Sequence, residues 1–76
     1  MLAKAFVLIE TAVGKTKEVV ATLKQIKGIS SVDTVTGPYD IIAVIEAEDL
    51  NEIGDLITSK IHAIDGISRT VTCLAV

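Results

Sequence analysis

The chain has very little of what small domains use to build special sites. Its 76 residues include one cysteine, one histidine, one proline, no tryptophan and two aromatics, Phe6 and Tyr39. A single cysteine excludes an intrachain disulfide and a thiolate zinc framework. Cys73, followed by Leu74, Ala75 and Val76, reads as a small apolar strand residue. Two aromatics are too few for a base-stacking platform. Seven basic residues face ten acidic ones, for a net charge of −3. No basic stripe is available to a phosphate backbone, so no direct nucleic-acid binding by this chain is expected. A membrane-spanning helix needs about 20 apolar residues. The longest apolar runs are the five-residue stretches Ala5-Phe6-Val7-Leu8-Ile9 and Ile41-Ile42-Ala43-Val44-Ile45. No secretory signal is expected either, because the run after Lys4 is short and ends at Glu10. A cytoplasmic chain is expected, with no membrane attachment, metal or cofactor.

What the chain does have is apolar side chains: 50% of its residues, with a mean hydropathy of +0.59. A chain this short buries only about 60% of the surface its unfolded form exposes, so its own core is marginal. Disulfides and metals are ruled out as reinforcement, which leaves association.

An internal echo organises the sequence. Ile26-Lys27-Gly28-Ile29-Ser30 recurs 38 positions on as Ile64-Asp65-Gly66-Ile67-Ser68. Each copy follows an apolar strand and an amphipathic helix. The first strand is predicted over 3–11. The first helix is predicted over 15–26, with Val19, Val20, Leu23 and Ile26 at helical spacing. Gly28 supplies the positive φ that ends it. A second, edge-like strand is predicted over 30–36, then the turn Gly37-Pro38-Tyr39-Asp40, then a third strand over 41–47. Asp49 and Glu52 have capping-box spacing and open a second helix with an apolar stripe of Leu50, Ile53, Ile57 and Ile61, and Leu56 beside it. The last strand is predicted over 67–76. Two such split βαβ halves make a single α+β domain over 1–76, a ferredoxin-like βαββαβ sandwich. Its four-stranded antiparallel sheet has the order 4-1-3-2, with both helices on one face.

The central strands carry the argument for assembly. A strand with one wet face alternates apolar and polar residues. Here Ala5, Val7 and Ile9 point one way and Phe6 and Leu8 the other. Ile41, Ala43 and Ile45 oppose Ile42 and Val44 in the same manner. Helices cover one face only. The other face is an apolar patch of the kind that marks an interface, so at least a sheet-to-sheet dimer is expected. A charge at Leu8 or Val44 is expected to break it and to abolish any ligand binding that needs it, although neither residue is expected to touch ligand.

Few residues invite chemistry. Val13-Gly14-Lys15-Thr16 sits between a strand and a helix, as a phosphate loop would. A full loop needs a glycine where this chain has Ile9, so Lys15-Thr16 reads as a solvated helix start. His62 lies at a helix end, where a cation suits the dipole, with no nucleophile paired to it in sequence. Glu46, Glu48, Asp49 and Glu52 form an acidic group, two of them already committed to capping. Gly37-Pro38-Tyr39-Asp40 is the most informative segment. By composition it is a turn, yet it holds the only tyrosine and a carboxylate beside free backbone N–H groups. Such a set suits a zwitterion, the carboxylate meeting its ammonium and the N–H groups its carboxylate.

Thr36-Gly37-Pro38-Tyr39-Asp40-Ile41-Ile42, followed by Ile67-Ser68-Arg69-Thr70-Val71-Thr72, resembles the effector domain of leucine-responsive (Lrp/AsnC) transcriptional regulators. That domain is known as the regulation-of-amino-acid-metabolism (RAM) domain. The likeness runs the length of the chain. Family members usually carry an N-terminal helix-turn-helix domain. Here the first strand follows Met1 at once, so a stand-alone form without that domain is expected. The resemblance implies dimers joined through their sheets, rings of dimers (a tetramer of dimers) and amino-acid effectors bound between dimers. It implies effector contacts at Gly37, Tyr39 and Asp40, and at Thr70 and Thr72 from a neighbouring subunit. It further implies either co-assembly with full-length Lrp/AsnC-type regulators or free amino-acid sensing, and no enzyme activity. The alternative is another small-ligand ferredoxin-like domain of the ACT type, whose ligand would sit at helix–strand loops. A small enzyme on the same fold is the third class. Acylphosphatase chemistry would want an arginine after the first strand, and the only arginine is Arg69. A dimeric-barrel monooxygenase would want a larger pocket with histidine or aromatic residues.

Overall fold

The computed structural model describes residues 2–76. The elements are β1 (Ala3–Thr11), α1 (Thr16–Leu23), β2 (Ile29–Thr34), β3 (Ile41–Ala47), α2 (Leu50–Leu56), a π-helical continuation of α2 (Ile57–Ile61) and β4 (Ile67–Leu74). The sheet order β2-β3-β1-β4 is the predicted one, and all three pairings are antiparallel.

The core lies between the sheet and the helices. Ala5, Val7 and Ile9 of β1 and Ile41, Ala43 and Ile45 of β3 are fully buried, beneath Val19 and Leu23 of α1 and Ile53, Ile57 and Ile61 of the α2 arm. Every second central-strand residue therefore faces helix, as the period of a strand requires. The predicted α2 stripe holds except at Leu50, which is 57% exposed. Leu50 is the first residue of α2, and helical side chains lean toward the N-terminus. Its side chain thus leans off the helix end and away from the sheet.

Helix ends differ from the predicted bounds for local reasons. After Leu23 the hydrogen bonds shorten to three-residue spacing, with Gln25 N–H donating to Thr22 O (3.1 Å) and Ile26 N–H to Leu23 O (3.1 Å). Such tightening satisfies terminal carbonyls, so α1 stops three residues early while Ile26 still packs against the core. At the other helix, Glu52 N–H donates to Asp49 Oδ1 (2.9 Å), as capping requires. The reciprocal bond reaches one residue further than a capping box, from Glu48 N–H to Glu52 Oε2 (3.0 Å).

The two echoed glycines lock the halves together. Gly28 has φ +102°, and a Cβ there would lie 2.6 Å from Leu56 Cδ1 of α2. Gly66 has φ +99°, and its Cβ would lie 3.0 Å from Lys15 Cβ and 3.2 Å from Val19 Cγ2 of α1. The glycine that ends each half's helix thus receives a side chain from the other half. Their carbonyls also cross over: Gly28 O accepts from Glu46 N–H (3.1 Å) and Gly66 O from Ala12 N–H (2.8 Å).

The second sheet face has no helix. Phe6 is in register with Val44 and Cys73, and Leu8 with Ile42 and Val71. Phe6 is 37% exposed, Cys73 is exposed, and Leu8, Ile42, Val44 and Val71 are half-buried. Charged cross-strand neighbours frame this patch, Lys4 with Glu46 at one end and Glu10 with Arg69 at the other. Lys4 Nζ lies 5.3 Å from the centroid of the Phe6 ring.

Candidate functional site

The turn between β2 and β3 is built on two anchors. Val35 N–H donates to Asp40 O (2.9 Å), closing the loop, and Asp40 N–H donates to Ile9 O (2.9 Å), tying it to β1. Because that closure begins at Val35, β2 ends at Thr34 rather than Thr36. Gly37 has φ +146°, in a region that side chains disfavour, and this lets the chain reverse over four residues. The Asp40 carboxylate ties the turn to β1 a second time. Its Oδ2 accepts from Thr11 N–H (2.8 Å) and from Thr11 Oγ1 (3.3 Å).

Folded in this way, the turn overhangs the helix-free face. Beneath it is a pocket of about 470 Å3, lined by Leu8, Val35, Thr36, Gly37, Pro38, Tyr39 and Ile42. Two residues of the exposed apolar patch, Leu8 and Ile42, are thus shared with the pocket. The walls are largely apolar, with the Tyr39 phenol at the rim. Arg69 Nη2 donates to Tyr39 Oη (3.1 Å), and its guanidinium carbon lies 5.8 Å from the ring centroid. The bond joins the β2–β3 turn to the far edge strand.

Of the five predicted contact residues, Gly37 and Tyr39 line the pocket. Asp40 adjoins it but directs Oδ2 at Thr11. Thr70 and Thr72 share a face, as predicted, and it is the helix-bearing one: they are in register with Ile9 and Val7, which point into the core. Thr70 Oγ1 lies 3.5 Å from His62 Nε2. Within one chain the two threonines do not meet the pocket.

Three residues given no site role by the sequence, Glu10, Ser68 and Arg69, come together on the β1–β4 ladder. The β1–β4 register shifts between Glu10 and Thr11, so that Thr11 pairs with Ile67 and Ser68 is the extra residue. Bulges of this kind re-aim side chains. Here Ser68 Oγ donates to Glu10 O (3.0 Å) and to Glu10 Oε1 (3.2 Å). A signal was available, since Glu10 and Arg69 are the charged residues that end the apolar alternation of the helix-free face.

The other candidates have local roles. Lys15 Nζ pairs with Glu18 Oε2 (3.4 Å), and Thr16 Oγ1 lies 2.7 Å from Thr11 Oγ1. No group of three or more histidine, cysteine, aspartate or glutamate side chains among the described residues is placed to hold a metal. No helix among them is long and apolar enough to cross a membrane. A second groove, of about 390 Å3, runs along α1 between Thr16, Lys17, Val20, Ala21, Lys24 and Thr34. It lies apart from the turn and from the helix-free face.

A model of the "Lrp/AsnC ligand binding domain" family matches residues 4–76. An uncharacterized HTH-type transcriptional regulator of Pyrococcus furiosus is 35% identical over 78% of this chain, which spans 39% of that protein. A homocitrate synthase of Sulfurisphaera tokodaii is 39% identical, also over 78% of the chain, which spans only 13% of the enzyme. The crystal structure of a Thermus thermophilus protein superposes with a TM-score of 0.93 at 32% identity, covering 97% of this chain and 92% of that one.

Proposed function

Because the chain belongs to the Lrp/AsnC ligand-binding domain family, we propose that it is an amino-acid effector-sensing and oligomerisation module related to those regulators. The observation that carries this reading is the pocket under Gly37 and Tyr39 on the face no helix covers. An apolar pocket with a few convergent polar groups suits a small ligand carrying both kinds of surface. Gly37, Tyr39 and Asp40 form the effector contacts. Protomers pair through the helix-free faces, and dimers assemble further into a ring, a tetramer of dimers. Thr70 and Thr72 face away from their own chain's pocket, so they serve a site completed by a neighbouring subunit. With no basic stripe of its own, the chain acts on transcription by co-assembly with full-length regulators. It is not an enzyme, and it works in the cytoplasm.

Titration calorimetry against the twenty common amino acids tests the reading. Heat is expected for a subset, and it should weaken at least about tenfold in Tyr39→Ala, as loss of a stacking and hydrogen-bonding anchor predicts. No heat for any amino acid refutes it. Co-expression with a full-length regulator should yield mixed oligomers. Recovery of homo-oligomers alone removes the co-assembly part.

The likeness to a short stretch of homocitrate synthase favours a second reading, in which the same module reports effector level to an enzyme. A change in the activity of a separately expressed homocitrate synthase on adding this chain, dependent on an amino acid, would support it.

A further inference from the structure

The chain is acidic as a whole, yet its first helix is basic. Four of the seven basic residues, Lys15, Lys17, Lys24 and Lys27, fall in 15–27 with one acidic residue, Glu18, a local net of +3 in a chain of −3. Lys15 pairs with Glu18. Lys17 and Lys24 are exposed, and neither makes a salt bridge among the described residues. Both line the groove of about 390 Å3 along α1, together with Thr16, Val20, Ala21 and Thr34. Positions 17, 21 and 24 share one helix face, so the small side chain of Ala21 leaves a gap between two lysines. Val20, packed against the core, lies at the bottom. Thr34 comes from β2, an edge strand that pairs with β3 alone. Val32 and Thr34 are in register with Ala43 and Ile41, and therefore share the helix-bearing face with α1. The groove thus adjoins an open strand edge, away from the helix-free face.

We propose that this groove and edge receive an extended acidic segment of a partner protein, added as a further strand beside β2. The site is independent of the turn pocket. An edge strand directs N–H and C=O groups outward, where another strand can pair with them. The register shift between Ile29 and Ser31 limits the regular edge to Ser31–Thr34, enough to align a segment of about five residues. Side chains of an added strand alternate between faces, so every second one turns to α1. A carboxylate, an apolar residue and a carboxylate at alternate positions match Lys17, the Val20–Ala21 floor and Lys24. Four strand residues span about 13 Å and seven helical residues about 10 Å, a difference that flexible lysine stems absorb. Those stems also supply apolar wall while their ammonium groups stay in water. An open groove covers little of a small molecule, whose sites bury most of its surface, whereas a strand gains main-chain pairing as well. Nucleic acid is the other polyanion such a face could draw, but no aromatic residue lines the groove for bases to stack on.

The test is an NMR titration of the full chain, in its own assembly, with the blocked peptide acetyl-Glu-Thr-Val-Thr-Glu-amide. Saturable shifts are expected at the amides of Ser31–Thr34 and of α1, and their absence overturns the proposal. Lys17→Gln combined with Lys24→Gln should weaken binding about tenfold, the scale of two surface ion pairs. Ala21→Glu, a surface change to a good helix former, should abolish binding by filling the gap with a carboxylate. Methylating the three central backbone nitrogens of the peptide should abolish it too, as strand pairing requires. Unchanged affinity in either variant overturns the assignment to the groove. Equal affinity for the methylated peptide, for acetyl-Glu-Val-Thr-Thr-Glu-amide with its valine on the other face, or for a short oligodeoxythymidylate shows charge attraction alone and overturns the added strand.

Discussion

The three glycines at positions 28, 54 and 66 separate backbone strain from side-chain contact. Gly28 and Gly66 sit near φ +100°, where a side chain costs on the order of 1–3 kcal/mol. Their surroundings differ. At Gly28 a Cβ meets the end of Leu56, which can swing aside. At Gly66 it meets Lys15 Cβ, which is fixed to its helix. Gly66→Ala should therefore lose more stability than Gly28→Ala. Gly54 lies inside α2 with nothing within 4 Å of an added Cβ, so Gly54→Ala should gain about 0.5–1 kcal/mol from helix propensity. Urea midpoints of the three variants check the order, with unchanged slopes expected. The echo of Gly28 and Gly66 was legible in the sequence as a repeat that ends two helices, but the cross-packing between halves was not. The same holds for Asp40. Its type and place in a turn suggested a ligand contact, but not its structural bond, since the Thr11 N–H it accepts from is 29 residues away. Removing it in Asp40→Ala leaves that half-buried N–H without its partner. A loss of about 1–2 kcal/mol in folding free energy is expected, measurable without any ligand.

Helix periodicity placed Leu50 and Ile61 in one stripe, and the fold treats them oppositely. Ile61 is fully buried, whereas Leu50 is more than half exposed. The difference arises along the element. The α2 arm buries Ile53, Ile57 and Ile61 at four-residue spacing, and a uniform α-helix drifts off its stripe at that interval. The arm widens at Ile57–Ile61 into a π-helical turn, in which His62 N–H donates to Ile57 O (2.9 Å). A wider turn rotates Ile61 back toward the sheet. Ile61→Ala is thus expected to destabilise by about 2–5 kcal/mol, as other buried large-to-small changes do. Leu50→Ala should stay within about 0.5 kcal/mol, as a surface change. Thermal unfolding of the pair settles the contrast; equal losses would place Leu50 in the core. The strands were easier to read, because a period of two needs no account of drift. β1 and β3 fall on their predicted residues. What the pattern did not show is the bulge at Ser68 on β4, because a one-residue shift between partners is a property of two strands and is invisible in either alone.

For the whole molecule, the question is what covers the helix-free face. The chain exposes 4862 Å2 in isolation, and a standard interface of about 800 Å2 per partner would remove about a sixth of it. At roughly 25 cal/mol per Å2 of apolar area, even half of that contact being apolar adds several kcal/mol per protomer. That is comparable to the whole stability of a small domain. The patch is also suited to a two-fold contact between copies, since its apolar centre is framed at opposite ends by Lys4 with Glu46 and by Glu10 with Arg69. The decisive position is Val44. Leu8 lines the turn pocket, so a charge there would disturb ligand and partner together. Val44 is in register with Phe6 and is not part of the pocket lining. Val44→Lys puts a cation at the centre of the patch, where burial without a partner is costly. It leaves the turn, Glu10 and Arg69 in place. Sedimentation should find a dimer or larger for the wild-type chain and a monomer for Val44→Lys at micromolar concentration, with circular dichroism still showing a folded chain. If the site is completed between protomers, amino-acid binding vanishes along with assembly. A monomeric Val44→Lys that binds with wild-type affinity would show instead that one chain holds the entire site, and that Thr70 and Thr72 have no part in it.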